Sequence, residues 1–276
     1  MTSDTLAAHV AEIAAELPGR VSVCARDLAN GRSLALHADA RCPTASVIKL
    51  PILVHAYLMA REGLLSLDEA RTLHDADKTP GSGVLSDLTD GAAFTLRDLC
   101  TLMIVLSDNT AANLVLDRVG VEAVTQRMRS LGLRRTTLYR RVFRLDENRD
   151  PECLKYGTGS TTAREMVRLL ALLHRGRVGD GATSAAILRV LARQQHTEGI
   201  PRFLPSACRY AGKGGAIDRA RNDVGLLTIG SDHTIAIAVF CRDLPALPYT
   251  VDHPALLTIG RIARAIVLDF APEALA

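Results

Sequence analysis

Polar and apolar positions give strand-like runs toward the two ends of this chain and a helical period between them. Arg20–Asp27 (RVSVCARD) alternates as a strand does, Asn30-Gly31 is a hairpin turn, and Ser33–His37 returns. Val224–Ile229 and Thr234–Cys241 read as further strands, joined by Gly230-Ser231-Asp232. Ahead of the first strand, acids and apolar residues share an amphipathic helix that ends near Pro18-Gly19. Thr44–Arg61 predicts an apolar helix behind Pro43, kinked or short of a hydrogen bond at Pro51. Thr95 and Asp98 form a capping box opening a helix through about Leu106. Asn109–Val119 and Val121–Ser130 are helical on either side of Gly120, as are Thr161–Leu173, Gly181–Gln195 and a closing Pro254–Asp269. Residues 134–160 are irregular, polar and rich in Arg, longer than an ordinary connection.

Strands at both ends with helices between them predict an α/β (α+β) fold. An antiparallel sheet is built from both termini, with an all-helical lobe beside it. The boundaries read from the pattern give one catalytic domain over 1–276. Its sheet lobe takes about 1–43 and 205–276, and its helical lobe about 44–204.

Composition narrows the function classes. The 276 residues are 48% hydrophobic, enough for a sizeable core. Net charge is +3, Trp is absent and no basic stripe is interleaved with aromatics, which argues against nucleic acid as a partner. No apolar run reaches membrane-spanning length, and the N-terminus lacks the basic and apolar regions of a signal peptide. The six Cys (24, 42, 100, 153, 208 and 241) are scattered without C-x-x-C pairs. They read as buried thiols in a reducing cytoplasm, not as a metal or disulfide framework. A trimmed export signal gives the same picture. No metal and no cofactor is expected.

The chain uses Arg 29 times and Lys only four times, at 49, 78, 155 and 213. Arg keeps its charge, whereas Lys can shed a proton at accessible pH. Two of the four Lys fall in short patterns that carry chemistry. Ser46-Val-Ile-Lys49 sits at the start of the apolar helix, where positions i and i+3 share a face. Lys49 lies inside an apolar run, a costly place for a purely structural charge. Burial there can lower its pKa and let it take the Ser46 proton. Taken alone, the pattern reads equally as a capping Ser and an unrelated Lys. Ser107-Asp108-Asn109 follows a helix end, and alone reads as a helix cap. Lys213-Gly214-Gly215 precedes a predicted strand, and alone reads as a Gly-rich turn with a solvated Lys.

Together the three patterns resemble the S-x-x-K, S-D-N and K-T-G signature of penicillin-interacting serine enzymes. Ser107 follows Ser46 by 61 positions and Lys213 follows by a further 106, close to the spacing in class A β-lactamases. PTASVIKLPIL, PGSGVL, SDNTAANLVLD and RNDVG also resemble that family's text, and the likeness runs over nearly the whole chain. The resemblance implies its two-lobed fold and an acyl-enzyme chemistry. Ser46 would attack a carbonyl, and Lys49 would be base or proton relay. Ser107 would pass a proton to the leaving nitrogen, and Asn109 would brace Lys49 or hold substrate. Lys213 would raise the local positive potential. Gly215 and Ala216 would line the substrate, with the backbone N–H groups of Ser46 and Ala216 as oxyanion donors, Ala216 being chosen on spacing alone.

Two departures stand out. Gly214 replaces the usual Thr or Ser, whose hydroxyl helps hold the substrate carboxylate in that family; Arg219 and Arg221 are candidates to compensate. The family also carries a Glu, with an Asn four residues on, in the loop before a Thr-Thr helix start. Counting back from Thr161-Thr162 reaches Asp146-Glu147, but the residue four beyond Glu147 is Pro151. Glu147 is the first candidate for the loop acid, Asp146 the second, and Glu152 a poorer one. Each also reads as a solvated loop acid.

The expected function is a serine hydrolase acting on an amide, ester or β-lactam carbonyl of a small molecule. An alternative is a cytoplasmic transacylase that passes the Ser46 acyl group to an amine or alcohol in small-molecule tailoring. A minor one is a non-catalytic ligand-binding relative, against which the intact Ser46, Lys49, Ser107 and Lys213 argue.

Overall fold

The computed structural model describes residues 3–144 and 150–275. Among these, the strands are β1 Arg20–Asp27, β2 Ser33–Leu36, β3 Cys42–Pro43, β4 Ala70–Thr72, β5 Ala93–Thr95, β6 Thr137–Leu138, β7 Gly159–Thr161, β8 Cys208–Ile217, β9 Ala220–Ile229 and β10 His233–Arg242. The α-helices are α1 Ser3–Ala15, α2 Lys49–Arg61, α3 Leu96–Val105, α4 Asn109–Val119, α5 Val121–Ser130, α6 Pro151–Tyr156, α7 Ala163–His174, α8 Gly181–Leu191 and α9 Pro254–Phe270. They divide into two compact units. The first takes 1–47, 161–171 and 196–276, and the second takes 48–160 and 172–195.

The first unit is built on a five-stranded antiparallel sheet in the order β2-β1-β10-β9-β8. Alternate residues of β1 (Val21, Val23, Ala25) and of β10 (Ile235, Ile237, Val239, Cys241) enter one core. α1 adds Leu6, Val10 and Ile13 to that core, and α9 adds Ile259, Ile262, Ile266 and Phe270. Each fully buried side chain of this size contributes roughly 1.5–3 kcal/mol. The fold class read from the pattern is the one observed.

The second unit is built around α2. Ten consecutive residues, Lys49 to Leu58, are buried. A helix buried all round has no polar stripe and must be enclosed by other elements. Here α3, α4, α5 and α8 pack on it. Thr95 caps α3 as expected: its Oγ1 accepts the Asp98 N–H at 3.1 Å, and its own N–H donates to the Asp98 carboxylate at 3.3 Å. Gly120, at φ 78°, ends α4 and opens α5.

The structure corrects several expectations. The helix predicted from Thr44 begins as a 3-10 turn, Ala45–Ile48, and becomes α-helical only at Lys49. Pro51 therefore falls in the first α-helical turn, where backbone N–H groups have no intrahelical acceptor, so it costs no hydrogen bond. The stretch 134–160 is not wholly irregular. β6 pairs with β7, and Asp150 caps α6 by accepting the Glu152 N–H at 2.7 Å. α7 starts two residues later than predicted, because Thr161 belongs to β7. α8 stops at Leu191 rather than Gln195. Finally, Lys213-Gly214-Gly215 is not a turn before a strand; it lies within β8.

Candidate active site

The second unit brings three of the expected residues together. Lys49 opens α2 with none of its surface exposed. Its Nζ donates to the Ser107 carbonyl oxygen at 2.5 Å and to Asn109 Oδ1 at 2.7 Å, and lies 3.3 Å from Ser107 Oγ. The Lys49 side chain is thus desolvated yet provided with polar partners, as a buried polar group needs. Asn109 is held in turn, its Nδ2 donating to the Pro80 carbonyl at 2.8 Å. Asp108 caps α4 by accepting the Ala111 N–H at 2.8 Å. Its other oxygen accepts from Val84 and Leu85 at 2.7 and 2.9 Å, pinning the loop that carries PGSGVL. A Cβ at Gly83 would sit 2.2 Å from Asp108 Oδ2, so this loop needs glycine there.

The first unit positions Ser46. It stands half-buried in the 3-10 turn behind Pro43-Thr44. Asn222 of β9 donates to the Pro43 and Thr44 carbonyls at 2.9 and 3.2 Å, which fixes the approach to that turn. β8 runs against it. A Cβ at Gly215 would lie 2.8 Å from Thr44 O and 2.9 Å from the backbone nitrogens of Ser46 and Val47. Gly215 is therefore a requirement of close backbone approach. β8 is also an edge strand, and an edge leaves alternate backbone N–H groups unpaired by the sheet, as an oxyanion hole needs. Ala216, exposed on that strand, stands opposite Arg221 of β9.

Backbone strain gathers at these motifs. Among the described residues other than glycine, φ is positive at five, and these include Ala45 (45°), immediately before Ser46, and Ser107 (56°). Such conformations persist only where the surroundings enforce them, and they concentrate at functional sites.

Lys213 is buried on β8, and its Nζ donates to the Gly214 carbonyl at 2.6 Å. Burial pulls its pKa down to about 8, against the opposing attraction of Asp223. Asp223 of β9 is itself buried, and desolvation pushes its pKa up to about 6. Its carboxylate accepts from the Tyr210 hydroxyl at 2.5 Å and from the Ile200 N–H at 2.8 Å. The Tyr210 ring lies across Gly212 and Gly225; a Cβ at either would come within 2.2–2.3 Å of it. Gly214, the departure from K-T-G, is not imposed by space. A Cβ there would meet Asn222 O at 3.7 Å and Asp223 Oδ1 at 3.8 Å, ordinary contacts.

Glu147 and Asp146 lie outside the described residues; Glu152 lies in α6. Sequence reasoning did not single out Asn222, Asp223 or Tyr210 for a role. Asn222 and Asp223 lie within RNDVG, where a polar pair interrupts a buried apolar strand, and that was their signal. Arg221 does not project freely. It is buried beneath the Tyr249 ring, its guanidinium carbon 4.3 Å from the ring centre, and donates to the Ala220 carbonyl at 2.9 Å.

Residues 5–270 match the model of the β-lactamase enzyme family. The chain belongs to that family. β-Lactamase L2 of Stenotrophomonas maltophilia is 29% identical over 95% of this chain and 86% of its own. A solved β-lactamase from Sphaerobacter thermophilus is 32% identical, covers 99% of both chains and superposes with a TM-score of 0.87. The fold is shared by a PBP-A variant solved as an acyl-enzyme complex with penicillin G, at 23% identity, 98% and 97% coverage and a TM-score of 0.85. The chain thus has the serine-hydrolase fold of the β-lactamase family. Of the described residues, no group of three or more His, Cys, Asp or Glu is arranged to hold a metal ion.

Proposed function

We propose that this protein is a serine acyl-enzyme hydrolase acting on an amide, ester or β-lactam carbonyl of a small molecule. The observation that carries the reading is Lys49, fully buried at the start of α2 and held by Ser107 and Asn109, three residues beyond Ser46. In this reading Lys49 accepts the Ser46 hydroxyl proton as Oγ attacks the carbonyl carbon. The carbonyl π pair moves onto oxygen, where backbone N–H groups of Ser46 and of β8 receive it. Collapse of that intermediate expels the leaving nitrogen or oxygen with a proton relayed through Ser107, and leaves an ester on Ser46. Lys213 supplies positive potential. Water then cleaves the ester, with Glu147 as the candidate loop acid.

A second reading is favoured by one observation. The residue four beyond Glu147 is Pro151, the first residue of α6, where the resembling family carries Asn. An amine or alcohol acceptor bound at the site then clears the acyl group, in a cytoplasmic transacylase. A neutral amine is the better nucleophile and needs less activation. Rapid mixing with a chromogenic ester separates the two readings. The hydrolase gives sustained turnover in water, cut sharply by Glu147→Gln. A burst followed by a slow phase that added amines accelerate, with amide product, selects acyl transfer. Absence of any acylation overturns both.

A further inference from the structure

Phe143 is a bulky residue in the left-handed region, at φ 58°, yet 55% of its surface is exposed. That conformation is a strained one for an aromatic residue, and here no core burial offsets the cost. The surroundings hold it in place nonetheless. Asn113 receives the Val142 N–H at 2.9 Å and donates to the Val142 carbonyl at 3.0 Å. Arg141 pairs with Asp117 at 2.8 Å. The Phe143 ring then lies over Gly81. A Cβ at Gly81 would meet ring carbons Cε2 and Cζ at 3.4 and 3.8 Å and Asn109 Nδ2 at 2.9 Å. Gly81, at φ 95°, is thus the thin spacer between an exposed aromatic ring and the Asn109 side chain that binds Lys49.

We propose that Phe143 is a specificity-determining residue, a rigid aromatic platform for an apolar, aryl-bearing acyl group delivered to the site. The inference rests on the acyl-enzyme reading and names its substrate class. A ring held out of the core and beside the Lys49–Asn109 pair offers one face to a planar group, and its strain is the cost of holding it there.

Two measurements test this. The first is a calorimetric titration of Ser46→Ala, alone and combined with Phe143→Gly, with phenylacetamide and acetamide; it reads the platform without requiring chemistry. Phe143→Gly is expected to reduce the preference for the phenylacetyl probe about five- to tenfold, the worth of one aromatic contact. Its melting temperature is expected to equal or exceed that of the parent, because glycine relieves the positive φ. Phe143→Tyr should keep the preference. An unchanged preference, an equal loss for both probes, or a fall in melting temperature would overturn the proposal. The second is wild-type acylation by p-nitrophenyl phenylacetate and p-nitrophenyl acetate. Labelling by neither removes the acyl-enzyme reading, whereas labelling by both at equal rates, with the calorimetric preference absent, removes only the platform.

Discussion

Single residues set the chemistry by what surrounds them. Lys49 is enclosed by a backbone carbonyl, a hydroxyl and an amide oxygen. Such a group can accept a proton only if it can first release one, which Arg cannot do. Lys49→Arg is expected to slow acylation by on the order of 10²–10⁴, the span of a positioned base, measured by the rate of mass gain with a chromogenic ester. Near-normal acylation would show that charge alone suffices. The glycine pair of β8 gives a sharper contrast. Gly215→Ala places a methyl against backbone atoms of the Ser46 turn and must displace it, so acylation falls on the order of 10²-fold. Gly214→Ala meets only ordinary contacts and leaves the acylation rate nearly unchanged and stability within about 0.5 kcal/mol. Equal effects in both would refute the close approach as the reason for Gly215. The scarcity of Lys made 49 and 213 visible in the sequence. Positive φ at Ala45, Ser107 and Phe143 left no trace there, because none is glycine.

At the scale of elements, legibility followed periodicity. Strands β1 and β10 are buried at nearly every position, helices α3 and α4 carry side-chain caps and α5 buries one face, and their bounds were readable to within a residue or two. β8 was not. Its sequence, CRYAGKGGAI, lacks an apolar alternation because three of its positions are Gly, two of them matched to the Tyr210 ring and the Ser46 turn. The pairing of β8 with β9 sets Gly214 opposite Asp223 and creates a buried titratable group that composition did not announce. Its pKa is raised, so the folded state holds a proton that the unfolded chain has lost between about 4 and about 6. The stability this proton confers is full below the unfolded pKa and is lost as pH rises through the folded one. Urea unfolding of the wild type relative to Asp223→Asn should therefore show the wild type losing roughly 2–3 kcal/mol from pH 4 to pH 6.5. A relative gain over that range would mean that the carboxylate is stabilised, not penalised, by its surroundings.

For the whole molecule, the α/β fold class was legible in the pattern. A sheet drawn from both termini was expected, and β1 lies beside β10 from the opposite end of the chain; the full order β2-β1-β10-β9-β8 was not read from the pattern. The three motifs are far apart in sequence, and their order and spacing carried the family resemblance. The loop acid is the part the sequence left open, because Asp146, Glu147 and Glu152 differ little in type and only geometry ranks them. In the proposed mechanism Ser46 carries the acyl group. The most direct test is intact mass and peptide mapping after exposure to a fluorescent penicillin and to p-nitrophenyl esters. One adduct is expected, on the peptide that holds Ser46, formed by the wild type and absent from Ser46→Ala. An adduct mapped to Ser107 or a cysteine, or turnover retained by Ser46→Ala, would contradict it.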